Sequence, residues 1–289
     1  MLIDLHTHST ASDGTDTPAG LVAAAAEAGV RVLAITDHDT TAGWAAAAAQ
    51  AERSGVLLVP GAEVTCRAGA RGGVTVHLLS LLHDPAHEPL AAALAASREG
   101  RLDRARRMTE LLSEDFPITW DDVLARAASG AVVGRPHVAD ALVAAGVVRS
   151  RDEAFASLLA DGSPYVLRLG APHPVDAVRL VRAAGGVPVI AHALASARGR
   201  VLSEELLEEM AAAGMAGVEV DHRDHDEAAR ARLRDFAAAS GLLTTGSSDY
   251  HGTGKANRLG EHTTSREAFE RVLAEGTGAP VAGAELVLP

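Results

Sequence analysis

His6 and His8 stand two residues apart in Asp4-Leu5-His6-Thr7-His8-Ser9. On an extended segment this spacing sends both imidazoles to the same face, where their ring nitrogens form a chelating pair. Further imidazoles and carboxylates recur where short apolar runs give out. They are Asp13 in Ser12-Asp13-Gly14, His38 in Thr36-Asp37-His38-Asp39, Glu63 in Pro60-Gly61-Ala62-Glu63 and His192 after Val189-Ile190-Ala191. Glu219 and His222 follow in Glu219-Val220-Asp221-His222, then Asp249 and His251 in Ser248-Asp249-Tyr250-His251-Gly252, while His77 lies inside a run. Taken singly, each reads as an ordinary polar residue, as do His83, His87, His173, His225 and His262; Asp37 and Asp39 equally suit turns or caps. Burying so many ionisable groups together is expensive without cations, and imidazole nitrogen with carboxylate oxygen suits Mn, Fe or Zn. The single cysteine, Cys66, excludes an intramolecular disulfide and a cysteine-built zinc knot. It reads as a small buried residue near Glu63 and not as a nucleophile.

The elements that must position these groups alternate. β-Branched runs at Leu2 to Leu5, Val32 to Thr36, Val56 to Val59, Val74 to Ser80, Val187 to Ala191, Gly217 to Val220 and Leu242 to Thr245 read as strands. Helical patterns lie between them at 18–29, 40–54, 173–184, 203–213, 225–240 and 266–275. The result is an α/β chain of about seven β/α units with a mostly parallel sheet or barrel, whose site would form at the C-terminal strand ends. From about Pro89 to Leu169 the rhythm breaks, and helices at 89–114, 120–129, 136–145 and 151–160 follow one another without a strand. The chain therefore divides into a barrel domain, residues 1–88 and 170–289, and a helical insertion, 89–169. The insertion carries Gly134-Arg135-Pro136-His137. Pro136 suits the first turn of a helix, and Arg135 offers a planar fork for phosphate.

With 47% hydrophobic and 22% charged residues, a disordered or coiled-coil chain is excluded. A net charge of −12 disfavours an extended nucleic-acid surface or an anionic membrane as partner. Apolar stretches break well short of about 18 residues, and the first residues show no basic region followed by an apolar one. A cytoplasmic location is expected. Lys255 is the only lysine among 26 basic residues.

The ordered motifs from Asp4-Leu5-His6-Thr7-His8 to Ser248-Asp249-Tyr250-His251 resemble those of the PHP (polymerase and histidinol phosphatase) superfamily. One departure is Ala193, where many members have proline at a position that is not a ligand. The resemblance implies a distorted seven-stranded (β/α) barrel with a helical insertion and two or three divalent metal ions. It is similar to small phosphoesterases that hydrolyse 3′,5′-nucleoside bisphosphates or trim RNA from the 5′ end. Carried onto this chain, it implies His6, His8, Glu63 and Asp249 at one metal. A bridging Glu63 with His77 and His192 would hold a second, and Asp13, His38 and His251 a third. Arg135 and His137 would recognise phosphate, and His222 would act as general acid, contact phosphate or stand behind the ligands. Arg168 and Lys255 are alternatives for a second phosphate, and Tyr250 reads as packing. The implied activity is attack of a metal-bound hydroxide on a phosphomonoester, either a nucleoside bisphosphate or a 5′-phosphorylated oligoribonucleotide end. A histidinol-phosphate-type phosphatase, an amidohydrolase-type C–N hydrolase and a non-catalytic metal-binding module are the competing readings.

Overall fold

The computed structural model describes residues 1–69, 73–160, 162–168, 170–196 and 201–283. Seven strands pair in chain order within one sheet: β1 (Leu2–Asp4), β2 (Val30–Ile35), β3 (Leu57–Ala68), β4 (Val74–Leu81), β5 (Val187–Ile190), β6 (Gly217–Asp221) and β7 (Leu243–Gly246). A short β8 (Ala282–Gly283), not anticipated from the sequence, adds antiparallel to β3. Among the seven, pairing is parallel except at β4, which runs antiparallel to both β3 and β5. Beyond β1 and β7 a parallel bridge joins Thr7 to Tyr250, so the two ends of this barrel-like sheet approach each other.

The strand expected to end at Val59 continues to Ala68. Pro60 and Gly61 look like a turn in sequence, yet they are where β3 changes partner. Residues 57–60 pair with β2, and residues 61–68 pair with β4. Pro60 lacks an N–H but its carbonyl accepts from Leu82 N–H at 2.8 Å. At Gly61 a Cβ would come within 3.1 Å of the Ser80 carbonyl and 3.2 Å of Thr36 Cγ2, so only hydrogen fits comfortably. The consequence is that Glu63 lies inside a strand and not after one.

Helices α1 (Pro18–Glu27) and α2 (Trp44–Ser54) flank the first strands. Pro18 does occupy the first turn of α1, and Gly55 closes α2 in the left-handed region at φ 65°. α2 starts later than the sequence suggested, because Asp39 is itself left-handed (φ 54°) and Thr40 Oγ1 accepts from Ala42 N–H, which keeps this loop out of the helix. Between β4 and β5 come α3 (Glu88–Ser113), α4 (Trp120–Leu124), α5 (Arg135–Ala144), α6 (Arg151–Ala156) and α7 (Pro174–Ala183). α8 (Glu204–Ala212), α9 (Glu227–Ser240) and α10 (Arg266–Glu275) complete the barrel layer. Two of the helices are shorter than their sequence patterns. Tight Arg126 N–H to Val123 and Ala127 N–H to Leu124 bonds follow α4, and Ser157 Oγ donates to the Glu153 carbonyl at the end of α6, competing with the helical ladder. α3 to α6 bury an apolar cluster of their own, built on Met108, Leu112, Val123, Val138, Leu142 and Leu159. Leu169 and residues 284–289, where the expected insertion and barrel domain end, lie outside the described residues. No helix among the described residues is long and apolar enough to cross a membrane.

α3 is fastened to the barrel by a buried ion pair. Arg101 Nε donates to Asp39 Oδ2 at 2.7 Å, and Arg98 Nη1 donates to the Asp39 carbonyl at 2.7 Å. The same carboxylate accepts from Thr65 N–H and Thr65 Oγ1, each at 2.7 Å. Asp39 is fully buried and Arg101 only 6% exposed, so removing one partner strands the other charge out of water. Arg101→Ala is expected to destabilise the protein by about 3–5 kcal/mol. Urea denaturation against the wild type checks this, and a loss below about 1 kcal/mol would mean that water screens the pair.

Candidate metal centre

The chelating pair forms as its spacing requires. His6 Nε2 and His8 Nε2 lie 3.1 Å apart. Both face Glu63 Oε2, at 3.1 and 3.0 Å, and Asp249 Oδ1, at 3.5 and 3.4 Å. On the other oxygen of Glu63, Oε1, converge His77 Nδ1 at 2.8 Å and His192 Nε2 at 3.1 Å. Asp13 gathers His8 Nδ1 and His38 Nε2 at 3.7 Å and His251 Nε2 at 3.4 Å. Three ligand groups result: His6, His8, Glu63 and Asp249; His38, Glu63 and His77; and His8, Asp13, His38 and His251. Every residue singled out in the sequence as a ligand is therefore in one cluster. Two of them do more than the sequence indicated, since His8 also faces Asp13 and His38 also faces Glu63.

Local backbone explains the convergence. Thr7 Oγ1 donates to the Ala34 carbonyl at 2.6 Å, and Thr36 N–H donates to the Thr7 carbonyl at 2.9 Å, so the His6–His8 segment is held extended beside β2. Gly14 lets the Ser12-Asp13-Gly14 turn fold onto His8, because a Cβ there would lie 2.5 Å from the His8 carbonyl oxygen. His192 and Asp249 have positive φ, at 31° and 51°. Non-glycine residues hold that conformation only where the surroundings enforce it.

The donors fit divalent cations. Two imidazole nitrogens and two carboxylate oxygens in mutual contact are what a hard-to-borderline cation takes, with no thiolate among them. Among the described residues, His38 Nδ1 and His222 Nε2 are buried with no well-formed hydrogen bond, although they lie 3.3 Å from Glu63 Oε2 and 3.6 Å from Asp249 Oδ2. With protons in place of cations the charges divide unevenly. Burial opposes charge on His8, but hydrogen bonds to Asp249 and Glu63 outweigh it and push its pKa up to about 9. Burial, Lys255 and His8 push His251 down to about 4. Burial alone would raise Glu63, yet the imidazoles of His38, His77 and His6 hold it well below the usual carboxylate range.

Behind the ligands stand residues that the sequence did not rank. Glu219, fully buried, accepts from His6 Nδ1 at 3.0 Å and from Ser247 Oγ through Oε1, and from His192 N–H at 2.8 Å through Oε2. Its place on the last apolar run before His222 was the available signal. Asp37 is more than a turn residue: it accepts from Ser9 N–H, Ser9 Oγ and Ser12 Oγ at 2.6–2.8 Å, fixing the loop that carries Asp13. His222 is buried, with Nδ1 accepting from Asp224 N–H at 3.0 Å and Nε2 3.6 Å from Asp249 Oδ2. His225 and His83, expected as ordinary polar positions, are buried core histidines. His225 Nε2 accepts from Leu194 N–H while Nδ1 bonds the Val220 carbonyl, and His83 Nδ1 bonds the Ser80 carbonyl. Cys66 is buried and its thiol pushed up by burial, and Tyr250 donates to Asp16 at 2.8 Å.

The helical segment reaches the same cluster. Val132 N–H donates to the Ala11 carbonyl at 3.1 Å, and Arg151, paired with both oxygens of Asp140 at 2.6 Å, also donates to the Asp13 carbonyl at 3.3 Å. His137 is buried, its Nδ1 accepts from Gly134 N–H at 3.1 Å, and burial pushes its pKa down against the charges of Asp13 and Asp140. Half-buried Arg135 lies 5.4 Å from the Phe155 ring centroid, and Arg168 is exposed.

Residues 4–128 match the family described as PHP domain. A 3′,5′-nucleoside bisphosphate phosphatase of Chromobacterium violaceum is 37% identical over 262 residues, 90% of this chain and 91% of that protein. The chain belongs to the PHP family. A phosphoribosyl 1,2-cyclic phosphate 1,2-diphosphodiesterase of Eggerthella lenta is 34% identical, over 87% of this chain and 95% of its own. A 5′-3′ exoribonuclease of Haemophilus influenzae is also 34% identical, over 86% and 89%. Among solved structures, a candidate metal-dependent phosphoesterase from Bifidobacterium adolescentis superposes with a TM-score of 0.90 at 44% identity, covering 95% of this chain and 96% of that one. This PHP chain is an enzyme of the metal-dependent phosphoester hydrolase class.

Two outcomes follow from the geometry. Glu219→Gln keeps the shape but weakens the carboxylate that orients His6, and is expected to lower metal affinity about 10- to 100-fold, read by equilibrium dialysis with circular dichroism confirming the fold. At about pH 7.5 the metal-free protein keeps a proton on His8, because its pKa is pushed up to about 9. Binding of Mn²⁺ must expel that proton, so titration calorimetry in buffers of different ionisation enthalpy should show release of about one proton or more per chain. Proton uptake, or none exchanged, contradicts the assignment.

Proposed function

We propose that this PHP enzyme hydrolyses a phosphomonoester of a nucleotide, a 3′,5′-nucleoside bisphosphate or a 5′-phosphorylated oligoribonucleotide end. The observation that carries the reading is the set of overlapping ligand groups around Glu63, flanked by the buried Nε2 of His222. His6, His8, Glu63 and Asp249 would hold one ion, Glu63 with His77 and His192 a second, and Asp13, His38 and His251 a third; Mn, Fe and Zn all suit these donors. When bound, such ions supply a nucleophile by lowering the pKa of water and neutralise charge on phosphoryl oxygens.

The chain's own residues do the rest. His222 Nδ1 is occupied as an acceptor by the Asp224 amide, which leaves the ring proton on Nε2, the atom that faces the centre. From there this N–H is placed to hydrogen-bond a leaving alkoxide and stabilise its developing charge, the proton itself coming from water. His137, held by Gly134 N–H within Coulombic reach of Asp13, and the Arg135 fork before it would hold the phosphate. Residues 89–169 act in this reading as an insertion that closes the mouth over a small substrate. A net charge of −12 repels long RNA, so a nucleic acid would engage through its terminal phosphate. A single buried thiol suits a cytoplasmic setting.

The test is a metal-reconstituted assay on a nucleoside 3′,5′-bisphosphate, a short 5′-phosphorylated RNA, a cyclic ribose phosphodiester, histidinol phosphate and an aryl phosphate. Highest kcat/KM is expected on the nucleotide monoesters; a preference for the cyclic diester or for histidinol phosphate would overturn the substrate assignment. Arg135→Ala should lower kcat/KM about 10- to 150-fold through loss of one charged hydrogen-bonding contact, with metal content unchanged. Wild-type rates in a folded, metal-loaded Arg135→Ala protein would remove Arg135 from the site.

A further inference from the structure

Lys255, the only lysine in the chain, occupies the rim of the metal centre. Its Nζ donates to Asp249 Oδ2 at 2.9 Å while the side chain remains 31% exposed. Asp249 thus presents its two oxygens to different neighbours. Oδ1 faces His6 and His8, and Oδ2 faces Lys255 and the buried Nε2 of His222. An ammonium carries three N–H donors, and Asp249 uses one. The turn that carries Lys255 is wedged in place. A Cβ at Gly252 (φ 66°) would lie 2.0 Å from Thr15 Oγ1, and one at Gly254 would lie 2.5 Å from Arg151 Nη1. Arg151 is committed to both oxygens of Asp140. The exposed donors of Lys255 are not committed in this way.

We infer that Lys255 builds a second anion subsite, on the His222 side of the centre, which takes a phosphate carried by the leaving group itself. The inference rests on the phosphomonoesterase reading, in which His222 Nε2–H hydrogen-bonds the leaving oxygen. Because Lys255 and His222 share one oxygen of Asp249, whatever departs past His222 departs beside the ammonium. With Asp249 engaged in holding a cation, its attraction for Lys255 would weaken, which would free the amine for an incoming anion. A 3′,5′-nucleoside bisphosphate cleaved at its 3′ ester leaves as a 5′-monophosphate, and that remaining phosphate is the group the subsite would hold.

A single lysine makes the test direct. Reductive methylation with ¹³C-formaldehyde labels Lys255 and the N-terminal amine, and Lys255→Met assigns the two resonances. In protein loaded with diamagnetic Zn²⁺, a nucleoside 5′-monophosphate should shift the Lys255 resonance, whereas the unphosphorylated nucleoside should not. In kinetics, Lys255→Met should lose about 10- to 100-fold more kcat/KM on the bisphosphate than on an aryl phosphate, and Lys255→Arg should recover most of the difference. Equal losses on both substrates, or a resonance indifferent to the 5′-monophosphate, overturn the subsite. Should Lys255→Met shed its metal, the resonance of the unmutated protein decides alone. If the wild type cleaves no bisphosphate yet the resonance responds to the 5′-monophosphate, the proposed substrate fails while the subsite stands.

Discussion

Five imidazoles lean on one carboxylate. His6, His8 and His38 contact Oε2 of Glu63, and His77 and His192 contact Oε1. A carboxylate buried to this extent costs several kcal/mol of lost hydration unless countercharge surrounds it, and the countercharge here comes from segments far apart in the chain. The fold can be read as the means of delivering them. β3 must run long enough to put Glu63 level with His38, to which it is bridged, and β4 must turn back beside it so that His77 comes alongside. The extensions of β1 and β5 then bring His6, His8 and His192 in from the remaining sides.

Much of this was legible in the sequence, because ligands on extended segments obey a period of two and punctuated apolar runs mark strands. His6, His8 and the later histidines and carboxylates announced themselves in that way. The direction of β4 did not, since alternation of side chains is the same in parallel and antiparallel strands. Pro60-Gly61 imitated a turn because its residue types are those of turns, although the chain uses them to switch sheet partners. Glu219 went unranked for a different reason. Its partner His6 is 213 residues away, and only the closed arrangement decides whether a carboxylate on a strand faces water or an imidazole. The same holds for His225 and His83, whose burial is set by neighbouring elements and not by local pattern.

Charge is distributed to suit this centre. The surface is acidic overall, with a net charge of −12, yet Arg101, Arg151 and Lys255 turn inward and pair with Asp39, Asp140 and Asp249. Such pairs contribute little to net stability once their desolvation is counted. Their effect is geometric: Lys255 holds the Asp249 carboxylate, Arg101 the carboxylate next to His38, and Arg151 ties Asp140 to the Asp13 carbonyl.

The fastening of α3 through Asp39 bears on how such an enzyme can diversify. Asp39 follows His38 directly, and it is gripped from outside by Arg98 and Arg101, one helical turn apart on α3. The histidine and carboxylate cluster and the helical part are therefore not separable modules. A replacement helical segment that supplied new substrate contacts would still have to present two guanidinium groups at that spacing, or His38 would lose its footing. Specificity in this architecture can drift at the free ends of the helices, while the register of α3 stays tied to the metal centre.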